Sequence, residues 1–350
     1  MHPPNHSVSR EASILVTGGT GFLGSYLLRY LLAYGYTNIR ALCRPTSDFA
    51  LLDGVRDRID WVEADILDFM DVQEAVSGAD RVFHCAAFIS FHWGEKRRMI
   101  RANREGTANV VNACLYGGVK KLIHSSSIAA LGRGKREKTV TEETKWENNP
   151  NNSDYAVSKF LAEQEVWRGF EEGLDMAIVN PSLILGSGNW VGFNTQRIFR
   201  LGLQGFPFYA TGATGLVDVR DVARMMIHLS ESPISGERFI CNSANWSYRK
   251  LSSQIAEELG KKPPAIPFGP VLRAIAPPLI GIQSRITGRT PSVTRQTAHL
   301  TSLDYAFDNG KSLKALNWHY IPPELTIKQT AAQLMEAGKD SWKPGVLELY

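Results

Sequence analysis

Apolar and polar positions alternate along this chain in two rhythms. Ser13–Thr17 (SILVT) is a short, nearly all-apolar run, the pattern of a strand covered on both faces of a parallel sheet. Phe22–Tyr34 then reads as an apolar helix, which Gly35 stops. Further strands are predicted over Asn38–Cys43, Ile59–Ala64, Arg81–Ala86, Lys121–Ser125 and Asp175–Asn180. Helices are predicted between them over Met70–Ser77, Glu95–Tyr116 and Tyr155–Glu172. Strands separated by helices imply right-handed crossovers and a parallel sheet.

The alternation fades after Gly186, and prolines cluster from Pro263 to Pro278. Val271–Ile282 is apolar, but Pro277 and Pro278 are expected to break it. A helix over Asp218–Ser230 and a strand over Arg238–Asn242 still read as core. The expected fold class is α/β, a Rossmann-type doubly wound parallel sheet with a smaller C-terminal substrate lobe. Residues 1–11 form a disordered lead-in, and 12–185 a dinucleotide-binding domain to whose core 217–243 returns. Residues 186–216 and 244–350 form the smaller lobe over the carboxyl edge of the sheet, where open α/β sheets bind ligands.

Composition narrows the function classes. Hydrophobic residues are 43% and charged residues 21%, with a net charge of +4, as in ordinary globular proteins. Basic residues are scattered, and the run Arg133–Lys138 is interrupted by Glu137, which reads as a solvated loop rather than a nucleic-acid surface. Cys43, Cys85, Cys114 and Cys241 are too far apart for a metal or redox pair and are expected as free thiols in a reducing cytoplasm. Met1–Glu11 has no apolar signal region, and no apolar run approaches the ~18 residues of a membrane helix. The expected partner is a small-molecule substrate, with no metal, nucleic acid or membrane, and a homodimer is left open.

Candidate chemistry begins at Thr17–Gly24 (TGGTGFLG), which follows the first strand and opens the first helix. Glycines at 18, 21 and 24 permit a sharp turn and close approach of a pyrophosphate, which the N–H groups of the first helical turn then face. The expected cofactor contacts here are Gly18, Thr20, Gly21, Phe22, Leu23 and Gly24. The second strand ends Leu42-Cys43-Arg44-Pro45 without the acid that NAD enzymes place against the ribose 2′-hydroxyl. Arg44 is placed to bond a 2′-phosphate, which favours NADP over NAD, or it is a solvated loop residue. Arg40 shares its strand face and is a partial substitute. Asp65-Ile66, after the third strand, fixes the adenine ring, or Asp65 serves the turn.

Tyr155 and Lys159 are four apart at the start of a helix and share a face. A free phenol titrates near pH ~10, and a nearby ammonium and a nicotinamide cation both favour its ionised form. Ser125, Ser126 and Ser127 end the fifth strand at the same edge, where a hydroxyl can hold the reacting oxygen beside Tyr155.

These residues together resemble the extended short-chain dehydrogenase/reductases, the NAD-dependent epimerase/dehydratase superfamily. The carriers are TGGTGFLG, Asp65-Ile66, HCAA (His84–Ala87), NREGT (Asn103–Thr107), SSS and YAVSK (Tyr155–Lys159). The SSIAAL segment, TGRTPSVT (Thr287–Thr294) and Leu316-Asn317-Trp318 resemble the dihydroflavonol-reductase and 3β-hydroxysteroid-dehydrogenase branch. The resemblance implies that Ser127 is the catalytic serine, with Ser126 the fallback and substrate contact, and that Lys159 binds the nicotinamide ribose. It implies that Asn103 supports the site through a helix kink or water relay, that Ala86 and Ala87 pass close to the cofactor, and that Pro181 and Ser182 lie near the nicotinamide. Two departures stand out. Asn180 precedes Pro181 where the family often has arginine, and Ser127 is followed by Ile128, not the acid of sugar-nucleotide dehydratases.

The leading expectation is an NAD(P)-dependent oxidoreductase moving a hydride between nicotinamide and a carbonyl or alcohol carbon. The alternatives are a sugar-nucleotide epimerase with tightly bound NAD and a non-catalytic dinucleotide sensor. Phe88, Phe91, His92 and Trp93, after the fourth strand, either line a substrate pocket or pack in the core. As a pocket they suit a flat or apolar substrate better than a nucleotide sugar.

Overall fold

The nearly all-apolar run Ser13–Thr17 lies inside a sheet, with a strand on either side. The computed structural model describes residues 8–90, 94–132, 139–191, 195–287, 294–338 and 342–350. Its first half runs β1 (Ile14–Thr17), α1 (Phe22–Ala33), β2 (Ile39–Cys43), β3 (Asp60–Glu63), α2 (Phe69–Val76), β4 (Arg81–His84), α3 (Lys96–Gly117), β5 (Lys121–Ser125), β6 (Thr139–Val140), α4 (Asp154–Glu171) and β7 (Met176–Pro181). It continues through β8 (Leu183–Leu185), α5 (Arg197–Leu203), β9 (Phe208–Tyr209), β10 (Ala213–Asp218), α6 (Val219–Glu231), β11 (Glu237–Cys241), β12 (Ala244–Ser247) and α7 (Tyr248–Glu258). It ends with β13 (Ile266–Pro267), α8 (Pro270–Thr287), α9 (Arg295–Leu300), β14 (Ala306–Phe307), α10 (Gly310–Ala315) and α11 (Pro323–Ala337).

Seven strands form one parallel sheet in the order β11-β7-β5-β4-β1-β2-β3. Neighbouring residues of β1 enter different cores, as the period of two requires. Ile14 and Val16 join Leu27 and Leu31 of α1 and Met225 and Met226 of α6. Leu15 joins Val72 of α2, Val110 and Val111 of α3 and Val166 of α4. The chain winds one way from β1 to β3 and the other way from β4 onward. The carboxyl ends of β1 and β4 therefore flank the crevice where such sheets take ligands.

The strands and helices expected around this sheet lie within two residues of their predicted bounds. A second sheet, β12-β10-β8, begins at Leu183, inside the stretch assigned to the nucleotide-binding part. With α5, α7 and α11 it encloses a third core around Trp190, Phe199, Leu216 and Ile327. The proline pair does not break α8, which runs through Pro277 and Pro278. This corrects the expected break: the helix continues through both prolines, and Pro277 is buried there. Among the described residues no helix is long and apolar enough to cross a membrane. The run Arg133–Lys138 and nearly all of TGRTPSVT lie outside the described residues.

Candidate active site

The turn from β1 into α1 is as tight as its glycines allow. Gly18 has φ +70, and a Cβ on it would stand 2.7 Å from the Ala86 backbone nitrogen. A Cβ on Gly24 would stand 2.1 Å from the Gly18 carbonyl oxygen. Gly21 caps α1 with no side-chain bond, and no acid stands in the first turn. The N–H groups at that helix start are thus left for an anionic ligand, and the cradle fits a dinucleotide pyrophosphate. Thr17 Oγ1 accepts from Ala86 N–H at 3.2 Å and pairs with His84 Nδ1 at 2.7 Å, while His84 Nε2 reaches Thr107 Oγ1 at 2.9 Å. Burial, with the Lys159 charge, pushes His84 down to about 3, so this imidazole is a neutral tie between strands.

The glycine loop and the Tyr-Lys pair line one cavity of about 500 Å³. Gly18, Gly21, Phe22, Leu23 and Gly24 form one side of it. Ser125, Ser126, Ser127, Tyr155 and Lys159 form another, and Ala87, Pro181 and Ser182 complete its inner end. Ser153 caps α4 by accepting from Ala156 N–H at 3.0 Å, which fixes the turn carrying Tyr155. Tyr155 and Ser127 line this cavity together, close enough for the Ser127 hydroxyl to act on the Tyr155 phenol. Ser127 Oγ also accepts from Ala129 N–H at 3.1 Å, capping a single helical turn after β5.

The electrostatics differ from the simple expectation of an ionised phenol. Burial pushes Tyr155 above its ordinary value, and the Ser127 hydroxyl only partly opposes this. Lys159 Nζ donates to the Ser125 carbonyl oxygen at 2.8 Å. Burial brings Lys159 itself down to about 8, opposed by the negative charge of Glu163.

Sequence reasoning missed Glu163, which organises the serine loop. It is 1% exposed, and its Oε2 accepts from Ser126 Oγ at 2.6 Å and Asn180 Nδ2 at 2.8 Å. Its Oε1 accepts from Arg238 Nη1 at 3.0 Å and Trp167 Nε1 at 3.3 Å. Asn180 Nδ2 also donates to the Ser127 carbonyl oxygen at 3.0 Å. Asn180 thus braces the loop where the resemblance leads one to expect arginine, and Arg238 on β11 supplies a guanidinium from a different strand. The available signal was position: Glu163 lies four residues after Lys159 and eight after Tyr155, on the same helical face.

The remaining expected residues divide clearly. Asn103 is 2% exposed; its Oδ1 accepts from Phe88 N–H at 2.7 Å, and its Nδ2 donates to Phe88 O at 3.0 Å and Ser158 Oγ at 2.9 Å. It ties the loop after β4 to α4, from its place within α3. The Phe88 ring lies 4.8 Å beneath the Arg98 guanidinium, and Ile89 faces the cavity in its place. Phe91, His92 and Trp93 lie outside the described residues. The buried Ser182 hydroxyl lines the cavity with no hydrogen-bond partner among the described residues.

Thr20, Arg44, Asp65, Ile66 and Ala86 do not line this cavity. Arg44 is exposed just past β2, its backbone turned by a bond from its N–H to Ser47 Oγ at 2.9 Å. Arg40 cannot substitute for it: its guanidinium donates to Ser77 O at 2.8 Å and reaches Ser13 Oγ at 3.5 Å, at the amino edge of the sheet. Asp65 Oδ1 accepts from Leu67 N–H at 3.0 Å, forming the turn after β3. The Ile66 carbonyl accepts from Asn109 Nδ2 at 2.9 Å, and its side chain packs where a Cβ on Gly106 would stand.

Comparison with known proteins agrees with this geometry. The family described as the NAD dependent epimerase/dehydratase family matches residues 14–241. Cinnamoyl-CoA reductase 1 of Petunia hybrida is 29% identical over 95% of this chain and 94% of its own length. Tetraketide alpha-pyrone reductase 2 of Arabidopsis thaliana is 30% identical over 73% of this chain and 84% of its own. The crystal structure of gox2253 superposes with a TM-score of 0.80 at 30% identity, covering 94% of this chain and 99% of that one. The chain belongs to the NAD dependent epimerase/dehydratase family, and is a nicotinamide-dependent oxidoreductase of the extended short-chain dehydrogenase/reductase type.

Proposed function

We propose that this enzyme is an NADP-dependent reductase of small carbonyl compounds, with Tyr155 as the proton donor and Ser127 as the group that holds the carbonyl oxygen. The observation that carries the reading is the meeting of Ser127 and Tyr155 in one cavity that the glycine loop and Lys159 also line. The nicotinamide cofactor, when bound, supplies the hydride. The chain's residues do the rest. The backbone of Gly18–Gly24 and the start of α1 hold the pyrophosphate, and Thr20, Phe22 and Leu23 belong to that cradle. Lys159 holds the nicotinamide ribose, and Ala87, Pro181 and Ser182 border the nicotinamide. Ser127 and Tyr155 grip the substrate oxygen with two hydroxyls, and the phenol proton passes to that oxygen as negative charge develops on it.

Burial raises the phenol, which keeps Tyr155 protonated at neutral pH, the form a donor needs for reduction. Asn103 acts by positioning: it holds the loop of Phe88 against α4. The absence of an acid after β2 and the exposed Arg44 support NADP over NAD. Asp65, with one oxygen committed to its turn, keeps the other for the adenosine end. The relatives named above are reductases by name, which supports the direction.

A panel of carbonyl compounds incubated with purified enzyme and either NADPH or NADH, read by nicotinamide absorbance, tests the proposal. Oxidation of NADPH by at least one carbonyl, faster than of NADH, is expected. Co-purification with tightly held NAD and interconversion of sugar nucleotides would overturn it.

A further inference from the structure

The cavity beside the candidate active site has a neighbour. A second cavity of about 320 Å³ lies between α5, α7 and α9. Its walls are Leu201, Leu251, Ala256 and the rings of Phe206, Phe208 and Phe268. Tyr248, Thr297 and Thr301 line both cavities, which adjoin at these three side chains. Among the described residues its charged lining is Arg197 and Lys262, with no aspartate or glutamate.

The cavity opens to solvent, and its aromatic walls are only partly covered, Phe206 being 42% exposed. A concave, largely apolar surface of this kind marks a ligand site. Because the two cavities adjoin, the ligand that suits this one is the far part of the molecule reduced beside Tyr155. We propose that this chamber is a subsite for the apolar portion of the substrate, and that the enzyme reduces carbonyl compounds carrying a long hydrocarbon chain or ring system. At roughly 30 Å³ for each small group, the volume share of a water, the chamber holds about ten carbon-sized groups. This rests on the reductase reading above, and it adds the class of substrate.

Straight-chain aldehydes of graded length, from butanal to tetradecanal, test it with NADPH as the reductant. In the native enzyme kcat/KM rises about three- to fourfold for each added methylene until the chamber is full, then levels off. Ala256→Phe and Ala210→Phe intrude on the chamber from two different segments. For each variant the quantity read is the ratio of kcat/KM for a long aldehyde to that for butanal, which does not depend on the fraction of protein folded. The expected result is that both variants bring this ratio down at least tenfold. Reduction of every aldehyde with no dependence on length, or an unchanged ratio in both variants, would overturn the subsite and leave the reductase reading standing. Failure to reduce any aldehyde or other carbonyl compound would overturn the reductase reading, and the subsite with it.

Discussion

The Ser126 hydroxyl donates to Glu163 at 2.6 Å. One residue later the chain presents the Ser127 hydroxyl to Tyr155 instead. Two adjacent serines are thereby given different work by a buried carboxylate. Ser127→Ala removes a group that touches the reacting oxygen, so kcat/KM falls by about 100-fold, in the range seen on removing one such donor. Ser126→Ala leaves turnover within a few-fold but deprives Glu163 of a donor, costing about 1–3 kcal/mol of stability. Steady-state kinetics and urea unfolding of the two variants separate these outcomes. A larger kinetic loss in Ser126→Ala would reverse the assignment.

Lys159 gives the enzyme a pH limit. Its ammonium, brought down to about 8 by burial, is fully protonated only below that value. The raised Tyr155 phenol stays protonated over the same range, so it does not set the limit. For carbonyl reduction kcat/KM is flat on the acid side of about 8 and falls as pH rises through it. The stability relation has the opposite sense. A buried lysine with a depressed value costs folding stability as pH falls from its unfolded value of about 10.4 toward about 8, and no further below it. A profile flat to pH ~10, the unperturbed range of both groups, would exclude Lys159 as the group that sets it.

Glu163 acts on that same limit through space. Its negative charge raises Lys159, so Glu163→Gln, which keeps the shape, moves the basic limb of the profile to lower pH. A purely structural role would lower activity uniformly and leave the limb in place. Glu163→Asp, which keeps the charge on a shorter arm, restores much of the shift.

Much of this site is legible from local spacing. The glycine loop and the Tyr-Lys pair are each contained in one short segment, so their geometry follows from one turn and one helix face. Spacing puts Glu163 on the helical face of Lys159 but does not reveal its role, because its partners Ser126, Asn180 and Arg238 come from three separate segments. Arg40 shows the limit of strand parity. Alternation fixes the face of a residue but not its end, and Arg40 stands about 13 Å from Arg44 at ~3.3 Å per residue. The reading of α8 failed on propensity: the buried proline at 277 answers to tertiary contacts that no local rule contains.

Arg44→Ala tests the choice of cofactor. A hydrogen bond to a charged group contributes about 1.5–3 kcal/mol, so NADPH binding weakens roughly 10- to 100-fold. NADH binding, without the phosphate, changes little. Arg40→Ala leaves both affinities alone, because its guanidinium is engaged at the amino edge of the sheet. Fluorescence titration of both cofactors against the three proteins reads this directly. Equal small effects of Arg44→Ala on the two cofactors would make Arg44 ordinary surface.

The role of Tyr155 as proton donor is tested most directly by single-turnover oxidation of bound NADPH in Tyr155→Phe with a carbonyl substrate in excess. Phenylalanine preserves the ring and removes only the hydroxyl that Ser127 acts on. NADPH should bind with native affinity, and its oxidation should slow by about 10²- to 10⁴-fold, the usual contribution of a positioned acid. Oxidation at a near-native rate in this variant would contradict the assignment of Tyr155.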